Sequence, residues 1–207
     1  MTRLILARHG ETVWNTSHRF QGTVDVPLSE RGHAQAAALA ERLAGEPLQA
    51  IYASNLRRAW DTAAAIAIRH GLAVSTEPRL QEIGFGHWEG LTYEEIQQRD
   101  PHTLARWLQD PMQAAPAGGE DMAAFVARVQ ALLDELRARA EADVVLLVAH
   151  GGPLQVLLCL ALGLQPRARW QFRLDPASVS ELYLYREGAI LTLLNDRHHL
   201  RQVRDDD

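Results

Sequence analysis

Short apolar runs alternate with longer amphipathic stretches along this chain. Leu4–Ala7 is a continuous apolar run that passes directly into Arg8-His9-Gly10, the pattern of a buried strand leading into a turn. Residues 11–28 are polar, contain Gly22 and Pro27, and read as a loop. Ser29-Glu30-Arg31-Gly32 opens an Ala/Leu-rich helix, with Ser29 as its N-cap and Gly45 as its stop. Ala50–Ala53 predicts a second strand, and Asn55–His70 a helix capped by Ser54 and ended by Gly71. Leu72–Val74 is a weaker third strand. Leu80–Leu91 is Gly-rich and aromatic and reads as a loop that carries chemistry. Residues 92–118 predict short helical pieces broken by Pro101, Pro111 and Pro116. Gly119–Ala140 predicts an amphipathic helix with Phe125, Val129, Leu132, Leu133 and Leu136 on one face. Val144–Ala149 is the most apolar strand and runs into His150-Gly151-Gly152; Leu154–Leu162 follows as a buried helix. Val179–Tyr185 and Ile190–Leu194 predict a closing hairpin around Glu187-Gly188.

Strands that alternate with helices predict an α/β three-layer sandwich, a mostly parallel sheet with helices on both faces. A length of 207 residues suits one domain, 1–207, with 92–118 as a small helical cap over one end. There are no internal repeats. Asp205-Asp206-Asp207 reads as a solvated end.

Composition narrows the function. Charged residues are 23% and hydrophobic residues 47%, an ordinary folded balance. A net charge of −5 disfavours nucleic acid and anionic membrane as main partners. No run of about 18 apolar residues predicts a transmembrane helix. Leu4–Ala7 is too short for the apolar core of a signal peptide, so the cytoplasm is the expected location. The single cysteine, Cys159, excludes an internal disulfide and reads as core. All 21 basic residues are arginine. Without lysine there is no Schiff base and no Walker P-loop. Any anionic substrate must therefore be held by Arg, His or backbone N–H groups, and arginine suits bidentate recognition of phosphate or carboxylate.

Two buried strands each end in His-Gly, at His9-Gly10 and His150-Gly151. In open α/β sheets ligands bind beyond the carboxyl ends of strands, so neighbouring strands would bring the two imidazoles together. Arg8 adjoins His9, and either Arg57 or Arg58, about 100° apart on a helix, can enter the same site. Glu82, in an aromatic and Gly-rich loop, is a carboxylate that desolvation can keep protonated as a proton donor.

Arg8-His9-Gly10-Glu11-Thr12 with Asn15 resembles the signature of the histidine phosphatase superfamily, the phosphoglycerate-mutase-like proteins. Further stretches agree in order: Arg19–Gly22 with Asp25–Ser29, Ser54–Ala63, Leu80–Gly90, Gly118–Glu120, Ala149–Gly151, and the closing Leu194-Asn195-Asp196. The resemblance implies a phosphohistidine on His9 and Glu82 as the proton donor. It places Arg8, Arg58 and His150 around the phosphoryl oxygens and leaves Arg57 outside. Hydrogen bonds from Asn15 and from the Gln21-Gly22 and Gly151 backbone would complete the site. No metal or other cofactor is required, because the protein supplies the positive charge. His198-His199 should diverge on a strand and serve structure or surface.

The expected reaction is hydrolysis of a small phosphorylated metabolite by a monomer or homodimer. The mutases of the family carry a lysine and an arginine-rich insertion after the acid loop; here Gly90–Glu95 has no lysine, and the cap holds only Arg99 and Arg106. A phosphoglycerate mutase is the alternative, and a catalytically silent phospho-ligand-binding module a further one. Trp88, Tyr93, Trp107 and Met112 would pack the cap or wall an organic leaving group. Trp170–Asp175 resembles α-ribazole phosphatases, while a broad-specificity phosphatase fits equally.

Overall fold

A computed structural model describes residues 1–139 and 143–203. Six strands form one sheet: β1 (Thr2–Arg8), β2 (Ala50–Ala53), β3 (Val74–Thr76), β4 (Val144–Ala149), β5 (Val179–Leu184) and β6 (Ala189–Asp196). Their spatial order is β3-β2-β4-β1-β5-β6. The first four run parallel, and β5 and β6 add an antiparallel edge.

The alternation of β-strand side chains divides the core into two layers. Leu4 and Leu6 of β1, with Val145 and Leu147 of β4, pack under α6 (Met122–Arg137) and α7 (Gly151–Ala161). Ile5 and Ala7, with Leu146 and Val148, pack under α2 (Glu30–Leu43) and α3 (Arg57–His70). Both faces are covered, which explains why β1 and β4 read as unbroken apolar runs. Cys159 of α7 is fully buried, as its apolar helix predicts.

Residues 92–118 contribute α4 (Tyr93–Arg99) and α5 (Pro101–Gln109). Ile96, Leu104 and Trp107 form a separate apolar cluster with Trp88. Thr92 and Glu95 close a reciprocal cap at the start of α4, and Pro101 occupies the first turn of α5, where a missing N–H costs nothing.

Five expectations are corrected. The helix expected from Asn55 begins at Arg57, with Leu56 rather than Ser54 at its N-cap position; the Ser54 hydroxyl meets His150 and the Leu56 N–H, and the Asp25 carboxylate takes the Arg57 N–H at 2.7 Å. The loop at 11–28 contains the single turn α1 (Val13–Thr16), closed by Thr12 and Asn15. His198 and His199 lie on a 3₁₀ turn rather than a strand, since Asp196 accepts the His198 N–H and ends β6. The third strand starts later than expected, at Val74. The helix expected to reach Ala140 ends at Arg137. Ala140 and Asp205–Asp207 lie outside the described residues.

Candidate active site

β1 and β4 pair in register, Arg8 beside Ala149, so the next residue on each is a histidine. The His9 and His150 ring centroids are 5.0 Å apart, and both side chains are buried. His9 Nδ1 lies 2.6 Å from the Gly10 carbonyl. A carbonyl can only accept, so Nδ1 carries the hydrogen and Nε2 keeps its lone pair. Burial, reinforced by the Arg58 and Arg8 charges, holds the His9 pKa well below the usual histidine value. The ring is therefore neutral near pH 7. Gly10 itself is fixed by its N–H to the Thr62 hydroxyl, at 3.1 Å.

Arg58 enters from the first turn of α3 and is fully buried, whereas Arg57 is exposed. Its Nη1 donates to the Val24 carbonyl at 2.7 Å, its Nη2 to the Gly22 carbonyl at 2.8 Å, and its Nε to His150 Nδ1 at 3.2 Å. Burial lowers its pKa to about 10, so it remains a cation at neutral pH. Because Arg58 donates to Nδ1, His150 carries its hydrogen on Nε2 and donates to Ser54 Oγ at 2.9 Å. Burial, then Arg58, keeps His150 neutral as well. Both of its ring nitrogens are thus occupied.

Arg8 donates from Nη1 to the Leu174 carbonyl at 2.6 Å, and its buried Nε meets no acceptor among the described residues. Glu82 accepts the N–H of Ile83 at 3.0 Å and that of Gly152, in the first turn of α7, at 3.2 Å.

These groups line two adjoining cavities. A small one of about 120 Å³ is bounded by Arg8, His9, Asn15, Gln21, Gly22, Arg58 and Glu82. The larger, about 560 Å³, shares Arg8, Asn15 and Glu82 and is walled by aromatic side chains and Gly151. His150 is not among the residues lining either; it contacts His9 and Arg58, which line the smaller one. Asn15 presents an amide nitrogen bonded to no described residue, its oxygen being used by Thr12. Gln21 Oε1 is buried without a partner among the described residues, and the Gly22 carbonyl is taken by Arg58.

Several positioning contacts escaped the sequence reading because they join distant segments. Glu89 accepts from Thr23 N and Phe85 N, at 2.8 and 3.0 Å, tying the two loops over His9. Gly22 (φ +49°) is needed where it is: a Cβ there would stand 2.0 Å from Glu89 Oε1. Glu120 binds Arg128 at 2.7 Å, and its N–H reaches the Gly84 carbonyl at 2.8 Å, bracing the Glu82 loop. Among the described residues no group of three or more His, Cys, Asp or Glu side chains is arranged to hold a metal, and no helix is long and apolar enough to cross a membrane.

The model of the histidine phosphatase superfamily (branch 1) matches residues 4–197. Phosphoserine phosphatase 1 of Hydrogenobacter thermophilus is 38% identical over 200 residues, covering 97% of this chain and 95% of that protein. The adenosylcobalamin/α-ribazole phosphatase of Escherichia coli is 33% identical over 195 residues, covering 94% and 96%. Among solved structures, the α-ribazole phosphatase of Shigella flexneri superposes with a TM-score of 0.87 at 32% identity, over 94% of this chain and 96% of that one. A mycobacterial glucosyl-3-phosphoglycerate phosphatase gives 0.85 at 36% identity, over 94% and 99%. With a matching pattern along nearly its whole length and phosphatases as its relatives, the chain belongs to the histidine phosphatase superfamily and is a phosphoester-hydrolysing enzyme.

Proposed function

We propose that the protein is a metal-independent phosphomonoesterase that works through a phosphohistidine on His9. The observation that carries this reading is the His9 tautomer: a buried, neutral ring whose Nε2 lone pair is available between two guanidinium groups. Two solved structures of the mycobacterial glucosyl-3-phosphoglycerate phosphatase support it, since one holds VO3 and the other inorganic phosphate.

In the first step Nε2 attacks phosphorus, the bond to the leaving oxygen breaks, and Glu82 gives that oxygen its proton. In the second, the Glu82 carboxylate takes a proton from water as the water attacks phosphorus. The P–N bond breaks, releasing phosphate and neutral His9. Arg8 Nε and the remaining Arg58 N–H groups stabilise the equatorial oxygens. Asn15 Nδ2 adds a donor. His150 acts as a positioning residue that orients Arg58. Residues 92–118 act as a cap of the 1–207 unit, their Trp107 facing the leaving group. Phosphoserine, α-ribazole phosphate and glucosyl-3-phosphoglycerate, named for the relatives, share only the phosphomonoester, and that is the substrate class assigned here.

The test is p-nitrophenyl phosphate hydrolysis with chelator present, together with acid quenching of enzyme given labelled substrate. Acid-labile label on the native protein and none on a folded His9→Ala variant is the expected result. Wild-type turnover by that variant would overturn the reading. Quantitative conversion of 3-phosphoglycerate to 2-phosphoglycerate without phosphate release would replace it with a mutase.

A further inference from the structure

Arg169 is a buried cation without an anion. It lies on the 3₁₀ turn Pro166–Gln171, is 4% exposed, and its side chain makes no hydrogen bond or ion pair with any described residue. Its contacts are aromatic. Cζ is 4.4 Å from the Trp170 ring centroid and 5.9 Å from that of Trp107, and the two indoles meet edge to face at 5.8 Å. Such contacts offset only part of the cost of taking a guanidinium out of water. Burial accordingly pulls its pKa down. Structural arginines in this protein are treated differently: Arg3, Arg79 and Arg128 each hold one or two carboxylates.

Arg169 lines the larger cavity, the one that also holds Arg8 and Glu82. The acidic groups that act on it are Cys159, a thiol whose burial raises its pKa to about 11 and so leaves it uncharged near neutral pH, and then Glu82, which is already held by the Ile83 and Gly152 amides. The Trp170 and Trp107 rings lie 4.4 and 5.9 Å from Cζ, and no described residue takes the guanidinium N–H groups. A planar two-oxygen acceptor can engage a guanidinium with two parallel hydrogen bonds.

We propose that Arg169 is a specificity-determining residue that receives a carboxylate on the leaving group of the phosphomonoester, at a second anion subsite beside the phosphoryl pocket. This rests on the phosphatase reading above. It narrows the substrate class to phosphomonoesters whose alcohol portion carries a carboxylate, and it gives Trp107 and Trp170 the task of holding the arginine in line.

The experiment compares O-phosphoserine with O-phosphoethanolamine, which differ by the carboxylate. Native enzyme should favour O-phosphoserine in kcat/KM by about 10- to 100-fold, the worth of a charge-assisted pair. Arg169→Gln should collapse that ratio towards one, chiefly through the KM of O-phosphoserine, and Arg169→Lys should restore part of it. Native enzyme that shows no preference for O-phosphoserine overturns the proposal, whether or not the variants fold. A ratio unchanged in Arg169→Gln overturns it too. Tryptophan fluorescence titration of His9→Ala with the same two esters reads the ratio of Kd values without turnover. A failed phosphatase reading and a failed carboxylate subsite are thereby told apart.

Discussion

The Gly152 amide donates to Glu82 Oε2 at 3.2 Å, and a Cβ on Gly152 would stand 2.1 Å from Glu82 Oε1. The carboxyl group therefore occupies space that only glycine leaves open. Its position is set from α7, seventy residues away in sequence.

Gly152→Ala should push the Glu82 carboxyl off the Gly152 amide while the helix, which tolerates alanine well, persists. Proton transfer by a positioned group contributes about 10²- to 10⁴-fold, so kcat for an ester with a poor leaving group should fall by at least about tenfold. An activated ester such as p-nitrophenyl phosphate, which needs little protonation, should lose less. Equal losses on both esters would assign Gly152 a purely structural role.

Both buried imidazoles have depressed pKa values, His9 and His150 alike. NMR titration should therefore show the His9 ring without an inflection between pH 7.5 and 6, where an ordinary histidine would be mostly converted to its cation. The unfolded chain takes up these protons near pH 6.5 and the folded chain does not. Their contribution to stability is whole above that pH and is lost as pH falls below it, by up to about 1.4 kcal/mol per pH unit for each ring. Urea unfolding at a series of pH values measures the slope.

Ser54→Ala removes the acceptor of the His150 Nε2 hydrogen and of the Leu56 N–H. Leaving a buried donor unpaired costs about 1–3 kcal/mol, to be read as a lower urea midpoint. Arg58 keeps its carbonyl partners at Val24 and Gly22, so the variant should retain measurable hydrolysis.

Trp107 is packed edge-on against Phe85, Trp88 and Trp170. Trp107→Ala should cost about 3–5 kcal/mol in thermal or urea unfolding. Trp107→Phe, which keeps the ring, should cost much less.

What the sequence made legible follows from physics. β1 and β4 were plain because strands buried on both faces must be apolar throughout, and the His-Gly that ends each of them marks the sheet edge where Arg8, His9 and His150 gather. The resemblance singled out Arg58 over Arg57, and the fold buries Arg58 while exposing Arg57. The start of α3 was misread because Ser54 has the chemistry of a cap, yet its hydroxyl meets His150 and the Leu56 N–H, and the Arg57 N–H goes to Asp25 across a loop. The resemblance places His150 around the phosphoryl oxygens; that its two ring nitrogens meet Arg58 and Ser54 is visible only in the tertiary contacts. Arg169, Glu89 and Gly152 carry no local pattern at all; each matters through a partner dozens of residues distant.

The sheet order sets a timetable for synthesis. β1 leaves the ribosome first, but both strands that flank it, β4 and β5, come from beyond residue 143. At elongation speeds of about 5–20 residues per second, Leu4–Ala7 waits on the order of ten seconds for β4 to slide in between it and β2. During that interval a fully apolar segment has no ladder partner. The apolar β1 segment is thus open to chaperones over that interval, and the pocket cannot close until β4 and the segment that carries Arg169 and Leu174 have been made.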